Sequence, residues 1–291
     1  MRIAVLISGQ PRFLYEGSSW FKHKVFPQSP RIQVDYYCHF WDNGDPNLER
    51  IVQETFNPVK CKIENYDDAV HEFVNTVRDR NSELPDYEWN YVPENKRFLL
   101  YEGSEVGTYA RNFWGMFLAT QALTDMTGDL TGQYDVVIKT RSDVALNNMN
   151  EVHWLKAFHN MLRNPTFNDK MLAQWMYVHN GVPYIGDFCF ISKPDAWYKY
   201  SNNIKNNCIK LMTEDKVLWK EIEISGFTEL AHWCWAKTSM YSKTDWLSFA
   251  VVWPTPFNAT LIREHKNNIL QESFRSLQDA FNAHAANNTS N

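Results

Sequence analysis

Several features that usually announce a function are missing from this chain. Neither GxGxxG nor GxxxxGK(S/T) occurs in its 291 residues, so a Rossmann dinucleotide turn and P-loop phosphoryl or sulfuryl transfer lose their usual support. There is no HExxH, which removes a zinc-protease reading, and no CxxC pair. The five cysteines, Cys38, Cys61, Cys189, Cys208 and Cys234, are odd in number. Met1-Arg2 leads straight into an apolar segment instead of a secretory leader. The expectation is therefore reduced, mostly buried thiols in a cytoplasmic protein, and the Asn-x-Thr match at Asn258 carries no weight. Apolar runs are only a few residues long, against the ~20 that span a bilayer, so no transmembrane segment is expected. Positive charge is not in surplus: the formal net charge is -5 and basic residues are scattered. Nucleic acid and anionic membranes are not expected partners.

Aromatic residues are abundant: 12 Trp, 14 Tyr and 18 Phe make 15% of the chain. Core packing accounts for most of them, although sugar rings also present apolar C–H faces that stack on such side chains. The most informative stretch is Tyr134–Leu146, YDVVIKTRSDVAL. Its apolar Val136-Val137-Ile138 reads as a strand buried on both faces, running into a charged tip, Lys139-Thr140-Arg141-Ser142-Asp143. In open α/β sheets ligands sit beyond the carboxyl ends of strands, where Asp143 falls; a helix cap or turn is the plainer role for the same residue. The N-terminus carries a second signal. A strand, Ile3–Ile7, is followed at once by Ser8-Gly9-Gln10-Pro11-Arg12. There a glycine lets backbone approach an anion and a guanidinium can fork onto phosphate.

In chain order, a short helix is predicted over Gly17–Phe26 and a second strand over Gln33–Trp41, ending at Asp42. Asp42 either accepts a hydrogen bond from a ribose or closes the Asp42–Pro46 turn. A helix from Pro46 to Phe56 with Asp45 as its N-cap precedes a third strand between Pro58 and Tyr66, giving the β-α-β-α-β order of a parallel sheet. Residues 67–106 read as a helix and a long surface excursion, suited to a lid or acceptor loop. Thr108–Met126 is the clearest helix, with Arg111 and Asn112 near an N-terminus that favours a diphosphate. Gly128–Gln133 is a turn. Beyond the central strand come a helix over Glu151–Leu162 and a strand over Met171–Val178. A buried strand, Val182–Ile191, is interrupted by Gly186-Asp187, and a helix opens at Lys193-Pro194-Asp195. Asp187 either satisfies a turn or is a working carboxylate. A short helix over Phe227–Thr238 would place Glu229 and His232 on one face, able to hold a sugar hydroxyl or act as base, or simply to sit at a surface. A last strand over Ser248–Trp253 is followed by Arg263-Glu264-His265 and a tail, 283–291, expected to be flexible.

The strand plus SGQPR and the YDVVIKTRSDV stretch together resemble glycosyltransferases of the GT-A fold. Within them they resemble a group of bacterial and viral sugar-transferase-like proteins with SGQPR and YDxVIRTRxDV motifs. Arg111–Phe117 and Gly186-Asp187-Phe188 share the resemblance, which covers roughly residues 1–240. It implies a single GT-A-like α/β domain with a mostly parallel, helix-flanked sheet. Residues 1–146 would form the nucleotide-sugar half and 147–282 the acceptor half. It implies transfer of a sugar from a nucleotide-sugar donor to a glycan or other hydroxyl acceptor. Ser8, Gly9, Gln10 and Arg12 would cradle the nucleotide, and Asp187 or Glu229 would deprotonate the acceptor if configuration inverts. The family's DxD motif, whose carboxylates hold Mn²⁺ or Mg²⁺ on the diphosphate, reads here Arg141-Ser142-Asp143. Only Asp143 remains as a ligand, with His265 a metal candidate by position; alternatively Arg141 neutralises the phosphates itself. Two rival readings are a nucleotidyltransferase, disfavoured because Gly9 is the only glycine before Gly17, and a non-catalytic carbohydrate-binding protein of the same descent.

Overall fold

Eight residues, Arg2–Gly9 (β1), form the centre of the sheet, and Ile3 through Ile7 are fully buried. The structure, a computed structural model, describes residues 1–20, 31–69, 72, 90–92, 97–101, 104–106, 108–147, 151–168, 170–173, 176–179, 182–185, 189–202, 250–252 and 258–261. After β1 the chain forms helix Leu14–Trp20 (α1), strand Gln33–Trp41 (β2), helix Leu48–Phe56 (α2) and strand Lys60–Glu64 (β3). Three short strands follow, Asn90–Val92 (β4), Arg97–Tyr101 (β5) and Ser104–Val106 (β6), then helix Thr108–Thr127 (α3), strand Val136–Thr140 (β7) and strand Val144–Asn147 (β8). Next are helix Glu151–Arg163 (α4), strands Met171–Ala173 (β9), Met176–His179 (β10), Val182–Ile185 (β11) and Cys189–Ser192 (β12), and helix Pro194–Ser201 (α5). Strands Ala250–Val252 (β13) and Asn258–Leu261 (β14) complete the described chain.

The main sheet has seven strands in the order β13-β9-β12-β7-β1-β2-β3. Four neighbouring pairs are parallel, and only β12 runs against both its neighbours. The expected fold class, a mostly parallel sheet flanked by helices, is therefore present. Period-2 alternation sorts the side chains into two faces. Ile3, Val5, Ile7, Tyr36, Cys38, Phe40, Val136 and Ile138 join Leu48, Val52 and Phe56 of α2 and Phe158 and Met161 of α4 in one core. Burying each such side chain is worth about 1.5 to 3 kcal/mol, so this layer holds the sheet's shape. The opposite face of β1 and β2 is covered by α3, whose Gly115 lies against Trp41 and Tyr66; a Cβ there would sit 2.7 Å from the Tyr66 ring.

Some boundaries differ from the sequence reading. Helix α1 begins at Leu14, not Gly17: Arg12 N–H donates to Gln10 O, Phe13 takes φ 52, and the helix starts directly after that kink. Asp45 does not cap α2. Its carboxylate accepts from Asn47 N–H in a turn one step earlier, and the helix starts at Leu48. The strand predicted over Met171–Val178 is two strands serving different sheets, β9 in the main sheet and β10 paired with β11. Part of the excursion before α3 is an antiparallel sheet, β4-β5-β6. Central strand β7 ends at Thr140, and Lys139, read as part of a charged tip, lies inside it and is 1% exposed. β8 leaves the main sheet to pair with β14. No helix among the described residues is long and apolar enough to cross a membrane.

Candidate functional site

The chain winds outward from β1 to β2 and β3, then crosses back to place β7 on the other side of β1. Loops leaving β1 and β7 therefore head in opposite directions and open a crevice at their carboxyl ends, the usual ligand site of open α/β sheets. Ile7 is in register with Thr140, so Ser8-Gly9-Gln10-Pro11-Arg12 and Arg141-Ser142-Asp143 leave the sheet at the same height. The two stretches singled out in the sequence meet here.

They are tied by the residue between the two charged ones. Ser142 Oγ donates to Arg12 O at 2.9 Å and lies 3.3 Å from Gln10 O. Gly17 of α1 rests on the same turn so closely that a Cβ would be 1.8 Å from Ser142 O. Gly9 takes φ +118, a conformation side chains rarely adopt, and turns the chain off the strand. Phe13, also in the left-handed region, packs against the core beneath α1, and this packing offsets a strain of about 1 kcal/mol. Ser8 is buried, whereas Gln10 and Arg12 are exposed on the crevice rim.

Arg141 and Asp143 form a two-pronged pair: Nε donates to Oδ1 and Nη2 to Oδ2, each at 2.8 Å. The arginine side chain is 27% exposed and the aspartate 1%. The buried carboxylate therefore fixes a guanidinium that reaches solvent. A divalent ion on an aspartate is what the family resemblance implies at this position. Each oxygen of Asp143 accepts from Arg141, and the carboxylate is almost fully buried, whereas a divalent ion that keeps several waters calls for an open carboxylate. Among the described residues no three His, Cys, Asp or Glu side chains converge. These residues do not fit an aspartate-held ion.

Asp42 follows β2 at the same sheet edge, and its carboxylate accepts from Gly44 N–H at 2.8 Å, closing the turn. Arg111 and Asn112 lie in α3 one turn before Gly115, which is level with the end of β2. Asp187, Glu229, His232 and His265 lie outside the described residues.

The sequence reading passed over one buried pair. His39 shares a face of β2 with Tyr37 and Trp41, stands beside Ser8 in register, and is fully buried. Its Nε2 lies 2.7 Å from Glu64 Oε2, while Lys62 reaches the other oxygen of Glu64 at 2.6 Å. The His39 hydrogen bond, aided by Lys62 and opposed by burial, holds the Glu64 carboxyl at about 2. Trp41 packs edge-on against the His39 ring. The available signal was one polar residue at a buried parity of an aromatic strand. The two buried thiols among the described residues are not nucleophiles: burial pushes Cys189 up to about 12 and raises Cys38 as well. Cys38 and Cys189 are buried as expected, but Cys61 is exposed.

No family model and no curated protein matches the chain. Among solved structures, apo mouse xyloside xylosyltransferase 1 aligns at 8% identity and TM-score 0.42, covering 94% of each chain. The glycosyltransferase GlyE of Streptococcus pneumoniae aligns at 12% and 0.38, covering 86% of this chain and 45% of its own. The galactosyltransferase LgtC, in complex with donor and acceptor sugar analogs, aligns at 10% and 0.35, covering 75% and 66%. At such identities and scores, the reading of the site rests on its own geometry.

Proposed function

We propose that the chain is a glycosyltransferase of GT-A-like fold that moves a sugar from a nucleotide-sugar donor to a hydroxyl acceptor. The observation that carries this reading is the crevice between the β1 and β7 loops, where Ser142 joins the SGQPR and RSD stretches into one wall. Such a crevice takes a nucleotide with its phosphates against backbone and a fixed positive charge. The anomeric C–O bond to the donor's diphosphate breaks and the acceptor oxygen forms the new bond; if configuration inverts, the acceptor's proton passes to a base, with Asp187 and Glu229 the candidates. The leaving nucleoside diphosphate gains charge as the bond breaks, and prepositioned donors at that point lower the barrier by several kcal/mol. Ser8, Gly9, Gln10 and Arg12 would line the donor side, with Arg111 and Asn112 of α3 as further candidates. Residues 147–282 would supply the acceptor side.

The test is to incubate the full chain with UDP-, GDP- and CMP-sugars and identify the products. Release of free sugar with nucleoside diphosphate or monophosphate supports transfer chemistry. Release of pyrophosphate from a nucleoside triphosphate and a sugar phosphate would move the chain to the nucleotidyltransferases. Binding of glycans with no nucleotide turnover would make it a carbohydrate-binding protein.

A further inference from the structure

Given the transfer reading, on which this inference rests, some positive charge must face the donor's diphosphate. The described residues offer no aspartate-held ion but do offer a built alternative. Arg141 is locked by two 2.8 Å hydrogen bonds to a carboxylate that is 1% exposed, while its own side chain is 27% exposed. The pair is thus a dipole whose positive end is the more exposed one, on the loop that leaves β7 beside the crevice. The turn that carries it is fixed in turn, since Ser142 bonds the Gln10 and Arg12 carbonyls and Gly17 leaves Ser142 O no space to shift. A guanidinium has five N–H donors in one plane, and two of them on one carboxylate fix the orientation of that plane. Its planar fork also suits phosphate oxygens better than a lysine ammonium does.

We propose that Arg141 is the cation of this crevice: Asp143 positions its guanidinium, and the donor's diphosphate meets that fixed charge in place of an aspartate-held divalent ion. Asp143 is then a positioning residue. Affinity for the nucleoside diphosphate does not depend on divalent metal, whereas an aspartate that held an ion would make it do so.

Titration of the full chain with UDP, GDP and CDP, in EDTA and separately in Mg²⁺ or Mn²⁺, decides between the two. The expected result is one nucleoside diphosphate whose Kd is the same in EDTA and in metal. That Kd should weaken about tenfold in Arg141→Lys, which keeps the charge but loses the fork. Asp143→Asn should weaken it less, without creating a requirement for metal. Should either single variant lose its fold by circular dichroism, the neutral double variant R141Q/D143N keeps two hydrogen-bonding side chains in place, and the wild-type comparison in EDTA stands regardless. Binding that needs Mg²⁺ or Mn²⁺ overturns the inference and leaves the transfer reading standing, as does an Arg141→Lys variant that binds like wild type. No binding of any nucleoside diphosphate under any condition overturns both.

Discussion

The same three strands, β2, β1 and β7, end in polar clusters at both edges of the sheet, and the two clusters are built differently. At the amino ends, side chains from all three segments bond to one another. Tyr134 Oη donates to Asp35 and pairs with Tyr37 Oη at 2.9 Å, and Arg2 reaches Asp35 at 3.2 Å with its guanidinium 4.9 Å over the Tyr134 ring. Arg2 N–H also donates to the Asp135 carboxylate, and Asp135 N–H donates to Arg2 O. At the carboxyl ends the strong pair is local, Arg141 with Asp143, and what crosses from one loop to the other is a hydroxyl on backbone carbonyls. One end closes on itself as a staple for the strands. The other stays open, with its charge aimed outward on a braced turn, which a ligand site requires and a staple does not.

The largest effect is expected where the open end is braced. Gly17→Ala puts a methyl 1.8 Å from Ser142 O and 2.9 Å from its carbonyl carbon, and neither backbone atom can rotate away. We expect a loss of about 3 kcal/mol together with loss of nucleotide binding, read by thermal unfolding and by titration. An unchanged melting temperature would show that α1 does not brace the crevice.

Next in size is the His39–Glu64 pair, which ties β2 to β3 at the carboxyl end as the amino end is tied. Its contribution is set by pH. The Glu64 carboxyl is held at about 2 in the folded chain, below the ordinary 4.5 it regains on unfolding. The stabilisation is therefore complete above about pH 4.5 and disappears as pH falls through about 2, amounting to about 2 kcal/mol once solvent screening of this partly exposed carboxylate is allowed for. Melting curves of wild type and Glu64→Gln should differ at neutral pH and converge toward pH 2. Parallel curves across that range would remove the Glu64 carboxylate from the account.

The amino-end staple gives the contrast. Tyr134→Phe removes a hydroxyl that serves Asp35 and Tyr37 together. It should cost about 1.5 kcal/mol and leave nucleotide affinity unchanged. A change in affinity would mean that the two ends are coupled through the strands and that the comparison fails.

The sequence showed the strands better than it showed what they exchange. β2 was read to the residue because Val34 and the aromatic Tyr36, Tyr37, Phe40 and Trp41 crowd into nine positions, and α3 to within one residue because its apolar spacing runs for five turns. Strands β4 to β6, three to five residues each, carry too few positions for a period to emerge. The β8–β14 pairing joins Val144 to Leu261, a partner no local pattern names. At the site, position was legible and pairing was not. Ser8–Arg12 and Arg141–Asp143 were each assigned to a strand's end, which the crossover then brought side by side. Whether Asp143 faces a ligand or Arg141 depends on side-chain directions after the strand stops, where period-2 reasoning stops too. Gly17 looked like the start of a helix, because a glycine chosen for close approach and one chosen for a turn are the same letter.

The smallest change in stability is the most pointed test of the open end. Ser142→Ala removes one hydroxyl that donates to Arg12 O, so stability should fall by only about 1 kcal/mol. If the hydroxyl's main work is to hold the two loops in one wall, nucleotide affinity should drop by more than that, roughly tenfold or beyond, because binding then also has to order the loops. At the amino end the reverse holds: Tyr134→Phe lowers stability and spares affinity. The two variants thus move two measurements in opposite proportion. If Ser142→Ala instead lowered stability and spared affinity, the carboxyl end would be a second staple, and the ligand would have to be sought away from the β1–β7 crevice.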